Sequence, residues 1–206
     1  MSRVNSGVST IFKLLRSPDS FILGETEPYE EAEAMQPIYS VDLQLPKDLQ
    51  PIDFERMIQE LTAATVNLLD RDGNLLFVNS QADAYAIEAF AAPYKTSCEH
   101  GQWVRLDESW SLNSRIFTDY GLITQSDNRY LDLLLASIVC LIPGTTPDTE
   151  LASAAEQADE HAVALLKQND GRRLLAIDRH QVSLIEGIAR AYRCSSQTVL
   201  EASEFY

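Results

Sequence analysis

The second quarter of the chain alternates between helical and strand-like periods of apolar residues. From Asp53 onward apolar side chains recur every three or four residues, which predicts an amphipathic helix capped by that aspartate. Residues 70–74, Asp-Arg-Asp-Gly-Asn, have the composition of a tight turn, and the apolar run 75–78 predicts a strand. Ser80 then caps an alanine-rich helix that ends before Pro93. We therefore expect a helix, a hairpin and a second helix here.

The longest apolar segments lie in the carboxyl-terminal part, and their spacing favours helices. Residues 128–142 are followed by Pro-Gly-Thr-Thr-Pro at 143–147, which breaks a helix. An alanine-rich stripe over 151–166 predicts a second helix, so the two would form a central antiparallel helical hairpin. A last helix is expected over 178–192, and a short one from Ser196.

Residues 1–50 differ in kind from the rest. An apolar cluster at helical spacing precedes a run with five glutamates and no positive charge, and residues 38–45 then alternate as a strand or an extended arm does. The segment has too few apolar residues to fold alone, so it must pack on the rest of the chain or on a partner. We expect an extended N-terminal arm, and its predicted partner-binding residues are Ile11, Phe12, Leu15, Tyr39, Val41 and Leu43.

Together these segments predict an α+β fold that is mainly helical, with the central helical hairpin, the arm, and a small β element at 102–106 and 116–123. Two regions are expected, the arm with its acidic stretch at residues 1–50 and a helix-dominated core domain at residues 51–206. At 45% hydrophobic residues the chain can build a core.

The charge balance bears on partners. The formal net charge is -15, and a surface this acidic repels phosphates, which argues against nonspecific binding to nucleic acid or anionic lipid. It suits a basic protein partner. The apolar run 131–142 is too short to span a bilayer, so no membrane contact is expected.

No pattern of catalytic, cofactor-binding or metal-ligating residues stands out. Three cysteines at irregular spacing form no disulfide framework and no C-x-x-C pair. Cys98 and His100 are close enough in sequence to form a thiolate–imidazole pair or two metal ligands, but no second ligand motif supports them, which favours a surface loop. Phosphate-binding, nucleophile-elbow and zinc motifs are absent from the sequence. We expect a protein without enzymatic activity and without a cofactor.

Two short resemblances point to other classes. Residues 68–79 resemble the opening hairpin of a PAS sensor domain. The pattern of that hairpin is an apolar strand, the motif D-x-x-G, and a second apolar strand that ends in asparagine. A long β-meander would have to follow, and the sequence predicts helices there. Residues 180–202 are similar to a helix-turn-helix, but the would-be recognition helix at 196–201 lacks arginine and lysine, which favours packing or protein contact.

A third resemblance covers more of the chain. Residues 128–170 resemble the helical hairpin of phage head–tail connector (adaptor) proteins, in which an apolar helix, a short Pro/Gly turn and an alanine-rich helix pack around a portal ring. The resemblance implies mixed strands before the hairpin and extended arms that join neighbouring subunits. Residues 96–124 and 1–50 would fill those roles.

The sequence therefore predicts a structural or assembly protein that docks to other subunits in a homo- or hetero-oligomer, with a virion head–tail connector as the favoured setting. The alternative is a cytosolic acidic regulatory or inhibitory protein that binds a basic partner, for instance by mimicking nucleic acid. Either protein would act in the cytoplasm of a bacterial host or in a virion, and neither would bind nucleic acid by sequence.

Overall fold

A computed structural model describes residues 35–46, 50–63, 67–146, 148–168 and 172–203. Strand residues make up 38% of the structure and helical residues 33%, so β-structure outweighs helix. Over these residues the fold is a β-rich α+β arrangement with two antiparallel sheets and four α-helices. The mainly helical fold class is therefore wrong.

The first sheet and its helices consist of β1 Ile38–Gln44, α1 Pro51–Ala63, β2 Leu68–Asp72, β3 Leu75–Val78, α2 Gln81–Ala91, β4 Ser97–Leu106, β6 Gly121–Ile123 and β7 Arg129–Asp132. The six strands lie in the order β2-β3-β1-β4-β7-β6, with every neighbouring pair antiparallel. The two helices, α1 and α2, pack on one face of this sheet.

The second sheet and its helices consist of β5 Ser111–Leu112, β8 Ala136–Ile142, α3 Leu151–Asp159, β9 Ala162–Lys167, β10 Arg173–Asp178, α4 Val182–Ala191 and β11 Ser195–Leu200. The five strands lie in the order β11-β8-β10-β9-β5, again antiparallel throughout. The helices α3 and α4 pack on one face of this sheet.

The two sheets are built on the same unit twice. Residues 38–106 and residues 136–200 each run β-α-β-β-α-β, a split β-α-β motif. The strand order is β2-β3-β1-β4 in the first unit and β9-β10-β8-β11 in the second, which is the same order once each strand is replaced by its counterpart. The remaining strands are additions, since β7 and β6 extend the first sheet and β5 extends the second.

The strand register of the two units corresponds as well. The residues paired across the central strands are Val41 with Leu76 and His100 in the first unit, and Val139 with Leu175 and Thr198 in the second. Both second strands carry a one-residue irregularity at the matching place, beside Leu69 in β2 and beside Val163 in β9. Such agreement in topology and register indicates an internal duplication.

A trace of the duplication survives in the sequence. Residues 91–97 and 189–195 share the pattern Ala-x-x-Tyr-(Lys/Arg)-x-Ser after the second helix of each unit. The basic residue, Lys95 or Arg193, has a φ of 57° in both units. This left-handed conformation ends each helix and turns the chain into the last strand.

Helix packing follows from apolar spacing in both units. In α1 the buried side chains Phe54, Met57, Ile58 and Leu61 lie on one face, as the sequence predicts. The α3 face is made of Ala154, Ala155 and Ala158 instead. In α2 the Ser80 side chain accepts a hydrogen bond from the Asp83 backbone N–H, which confirms the expected cap.

The helical hairpin over 128–166 is wrong, and the resemblance to connector proteins falls with it. Residues 128–142 form β7, a tight turn and β8, whereas only 151–159 of the second segment is helical. Side chains on both faces of β8 are buried, because one face packs on α3 and α4 and the other on the first sheet. A strand buried on both faces shows a continuous apolar run, which also fits a helix. Leu135, which lies within the predicted helix 128–142, is in the turn instead and is 45% exposed.

Two further expectations need correction or remain open. The segment from Ser196, interpreted as a short helix, belongs to strand β11, so there is no helix pair at that end of the described chain. Residues 1–34 lie outside the described residues, and the division of the chain at residue 50 stays a prediction. Within the proposed arm, Ile38–Gln44 forms β1, an inner strand of the first sheet.

The six-stranded sheet curls strongly. Phe77 in β3 and Tyr130 in β7 stack with ring centroids 4.0 Å apart and an interplanar angle of 7°. Their strands are three positions apart in the sheet, which is about 14 Å in a flat sheet at 4.7–4.9 Å per strand. The sheet must therefore bend into a half-barrel whose concave face lies opposite α1 and α2.

Candidate functional site

The concave face of the first unit differs from the matching face of the second. In the second unit this face is apolar and covered by residues of β4, β7 and the segment between them. Its members are Ile138, Cys140, Ala164, Leu166, Leu174 and Ala176. By register, the corresponding residues of the first unit are Ser40, Asp42, Asp70, Asp72, Leu75 and Phe77. In the first unit, charged and polar side chains thus lie at four of the six positions that are apolar core in the second unit.

Carboxylates form a row across this face. Asp42 in β1 is directly opposite Glu99 in β4, and Asp72 in β2 is two strands from Asp42 with Leu75 between them. Like charges directly opposite each other destabilise a sheet. None of the three forms an ion pair within the described part of the chain. In the second unit the position of the Asp42–Glu99 pair is held by Cys140 and Gln197.

Trp103 lies beside the carboxylates and is half-buried. Its indole Nε1–H donates to Ser40 Oγ over 2.8 Å, and its ring meets Phe77 edge-on at 5.6 Å between centroids. Gly101 makes this placement possible, because a Cβ there would lie 2.6 Å from Ser40 Oγ and 2.7 Å from Trp103 Nε1. The indole is fixed by a hydrogen bond and by packing, with part of its surface left to solvent.

Side chains rather than backbone pairs join the two edges of the half-barrel. Asp70 in β2 accepts hydrogen bonds from Thr124 Oγ1 and Asn128 Nδ2, both over 2.7 Å, and these residues flank the turn between β6 and β7. We call this contact the seam. Burial works to raise the pKa of Asp70, but the hydrogen bonds from Asn128, Thr124 and the Arg71 backbone hold it below its ordinary value. Burial, aided by the charge of Asp70, raises the pKa of Tyr130 to about 12.

A shallow cleft of about 580 Å³ adjoins the seam. Arg105 in its wall donates to Asn128 Oδ1, which ties the guanidinium to the seam. The lining mixes both signs of charge, with Arg105, Asp107, Glu108, Asp127 and Arg129 among its residues. This mixture favours no single class of ligand.

Cys98 and His100 lie in strand β4, not in a surface loop. Both are on the face toward the helices, where His100 Nε2 is 3.0 Å from Glu88 Oε2. Burial raises the pKa of the Cys98 thiol, and the charges of Glu88 and Asp42 raise it further. A thiol in such surroundings keeps its proton at neutral pH, so the geometry does not favour a nucleophile. Among the described residues no three side chains are grouped as metal ligands would be.

The sequence-predicted partner residues are distributed differently from the concave face. Ile11, Phe12 and Leu15 lie outside the described residues. Val41 and Leu43 are buried between the sheet and its helices, and Tyr39 packs at the edge of that cluster. Their role as partner-binding residues stays a prediction.

The residues of the concave face were not found from the sequence, although a signal was present. The alternation over 38–45 that predicts a strand also puts Ser40 and Asp42 on one face. The pairing of that face with Glu99 and Trp103 depends on register, which the sequence does not show.

Comparison with known proteins assigns the chain to no family. No family model, no curated protein and no solved structure matches the chain. None of the helices in the described part of the chain is long and apolar enough to cross a membrane.

Proposed function

We propose that the chain is a non-enzymatic component of a multi-protein complex, and that it binds a basic segment of a partner protein on its concave face. The observation that carries the proposal is the position of Asp42 directly opposite Glu99, near Trp103, with no ion pair to either carboxylate among the described residues. The side-chain partner of Asp42 is the neutral Gln44, which donates to it over 3.1 Å. Two opposed carboxylates cost stability, and a lysine or arginine side chain between them would remove that cost. An indole surface beside them would add a cation–π contact.

The overall charge supports the same kind of partner. A net charge of -15 attracts a basic chain at long range and speeds its association. If the partner is a nucleic-acid-binding protein, the carboxylates would occupy the place of phosphates, as in the inhibitory alternative drawn from the sequence. The setting we propose is the cytoplasm of a bacterial host or a virion.

Binding of a lysine- and arginine-rich peptide to the full-length chain tests the proposal. We expect the peptide to change the fluorescence of Trp103, and the double variant Asp42→Asn/Glu99→Gln to bind at least about tenfold more weakly, which is about 1.4 kcal/mol. The matched control is Glu156→Gln/Glu186→Gln, which removes two exposed carboxylates from α3 and α4. It should change the affinity by less than about threefold, because only long-range attraction is reduced.

Two results would contradict the proposal. Equal weakening in both double variants would show that net charge alone attracts the peptide. Equal binding of a peptide in which glutamates replace the basic residues would show that the face does not select for positive charge.

A further inference from the structure

Strand β11 is the outer strand of the five-stranded sheet, and one of its edges pairs with no other described strand. Its six residues, Ser-Ser-Gln-Thr-Val-Leu, include no charged residue and no proline. Val199 is 44% exposed and forms an irregularity in the pairing with β8, so the regular part of the edge runs from Ser195 to Thr198. An uncharged edge of this kind is open to another strand.

The other sheet edges are protected. β2 carries three charged residues, Asp70, Arg71 and Asp72, together with its own irregularity. β6 has only three residues and β5 only two. Charges, irregularities and short length are the usual means by which proteins block edge-to-edge pairing. β11 has the longest run of uncharged residues among these edges.

We propose that β11 pairs antiparallel with β11 of a second copy of this chain, across a two-fold axis. A strand paired antiparallel with its own copy is self-complementary, and a symmetric dimer closes without forming a fibre. The two five-stranded sheets would then become one continuous sheet.

Charges at the two ends of the strand fit this partner. Arg193 precedes β11 and Glu201 follows it, and both side chains are exposed. A two-fold axis between antiparallel strands leaves each residue and its copy on the same face, so the pairing is centred on a residue. Centred on Gln197, it brings Arg193 of each copy to the same end of the interface as Glu201 of the other. The chain just after Glu201 is held by the Gln102 side chain, which donates to the Ser203 hydroxyl over 2.7 Å and accepts from the Ser203 N–H over 2.8 Å.

The absence of charge in β11 also limits repulsion between copies. Each chain has a net charge of -15, but the strand itself brings no carboxylate to the interface. Arg193 already pairs with Asp148 of its own chain over 2.7 Å, but more than half of its side chain remains exposed and able to reach a second carboxylate.

Sedimentation of the full-length chain tests the dimer, with the expected mass at high concentration being twice the monomer's 23.0 kDa. Arg193→Glu and Glu201→Arg should each weaken the dimer at least about tenfold, because each puts like charges together at both ends of the interface. A mixture of the two variants should dimerise within about threefold of the parent, since every end then pairs opposite charges. Glu156→Arg on α3 is the control for altered net charge and should not weaken the dimer.

A third variant keeps the test independent of the ion pairs. Val199→Lys places a charge within the strand and should give a monomer with an unchanged circular dichroism spectrum. The proposal is overturned if the parent chain stays monomeric at concentrations of about 100 µM. It is equally overturned if the single charge variants dimerise as well as the parent, or if their mixture does not recover.

Discussion

The two β-α-β-β-α-β units share a scaffold and differ in one face. Both pack two helices on one side of their sheet, both have a basic residue with a φ of 57° after the second helix, and the central strands have the same register. The face opposite the helices is apolar and covered in the second unit, whereas in the first it carries carboxylates and a half-exposed tryptophan. The two units therefore share the packing between sheet and helices and differ in the chemistry of the opposite face.

The two faces also differ in what they contribute to the stability of the fold. Covered apolar residues such as Ile138 and Leu174 stabilise the second unit by burial. In the first unit the corresponding face has Asp42 directly opposite Glu99 in the sheet, and like charges at opposite positions work against folding. A costly arrangement retained on an otherwise shared scaffold is typical of a binding site.

The largest expected effect tests whether the helix-facing cores are equivalent. Leu76→Ala and Leu175→Ala remove matching, fully buried side chains, and each should lower the free energy of unfolding by about 2–5 kcal/mol in urea denaturation. Leu135→Ala, in the exposed turn, should cost less than about 1 kcal/mol. If the free energy of unfolding fell by less than about 1 kcal/mol for only one of the two buried leucines, the helix-facing cores of the two units would not be equivalent.

Gly101→Ala tests a position at which the units differ. By register, the residue of the second unit that corresponds to Gly101 is Leu200. In the first unit a Cβ at position 101 would collide with Ser40 and Trp103. We expect a loss of about 1–3 kcal/mol and a change in tryptophan emission.

The matched control for that substitution is Gly187→Ala in α4, where a Cβ meets nothing within 4 Å. It should stabilise the chain by about 0.5–1 kcal/mol, because glycine is unfavourable inside a helix. If Gly101→Ala were equally harmless, the fixed position of the indole would have to be abandoned.

Asp70→Asn tests the seam. In the second unit, the strand that corresponds to β2 is β9, and it pairs with β5 through the backbone instead. We expect a loss of about 1–2 kcal/mol at neutral pH, because a charge-assisted acceptor is removed. The pKa of Asp70 is lowered in the folded state, so its contribution is complete above the ordinary value of 3.8 and is lost as the pH falls through the folded pKa. The parent and variant should therefore converge in stability below about pH 3.8, as followed by urea denaturation at several pH values. A difference that stays constant down to pH 2 would contradict this role.

The smallest expected effect has the opposite sign. Glu99→Gln gives the first unit the neutral residue that the second has as Gln197, and should stabilise the chain by about 0.2–0.5 kcal/mol. The gain should shrink in 0.5 M salt, since screening weakens the repulsion between Asp42 and Glu99. Glu156→Gln on α3 serves as the control, and a comparable gain from it would assign the effect to net charge rather than to the opposed pair.

Local elements of the fold could be predicted from the sequence where one face of an element meets solvent. The α1 stripe, the strand at 75–78 and the Ser80 cap are confirmed, because amphipathic spacing and turn residues are local signals. A tight turn is present within 70–74, but it is only residues 73–74, since 70–72 belong to β2. The prediction of a helix over residues 128–142 is wrong because β8 is buried on both faces, which removes the alternation that marks a strand.

The duplication and the concave face depend on information that no single segment contains. Loops of different length change the offset between matching residues, from 94 positions for Asp70 and Ala164 to 99 for Leu76 and Leu175, so the repeat is not visible as a fixed period. Asp42 becomes notable only when Glu99 is opposite it, and that pairing is set by register.

The seam has a consequence for the order in which the chain folds. It joins Asp70 to Thr124 and Asn128, 54 and 58 residues away, whereas the β2–β3 hairpin beside it closes over a two-residue turn. Loop closure over such a distance is slow and gains only a few side-chain hydrogen bonds. We therefore expect the hairpin to form early and the seam to form late, so mutations at Asp70 should speed unfolding while leaving the refolding rate almost unchanged.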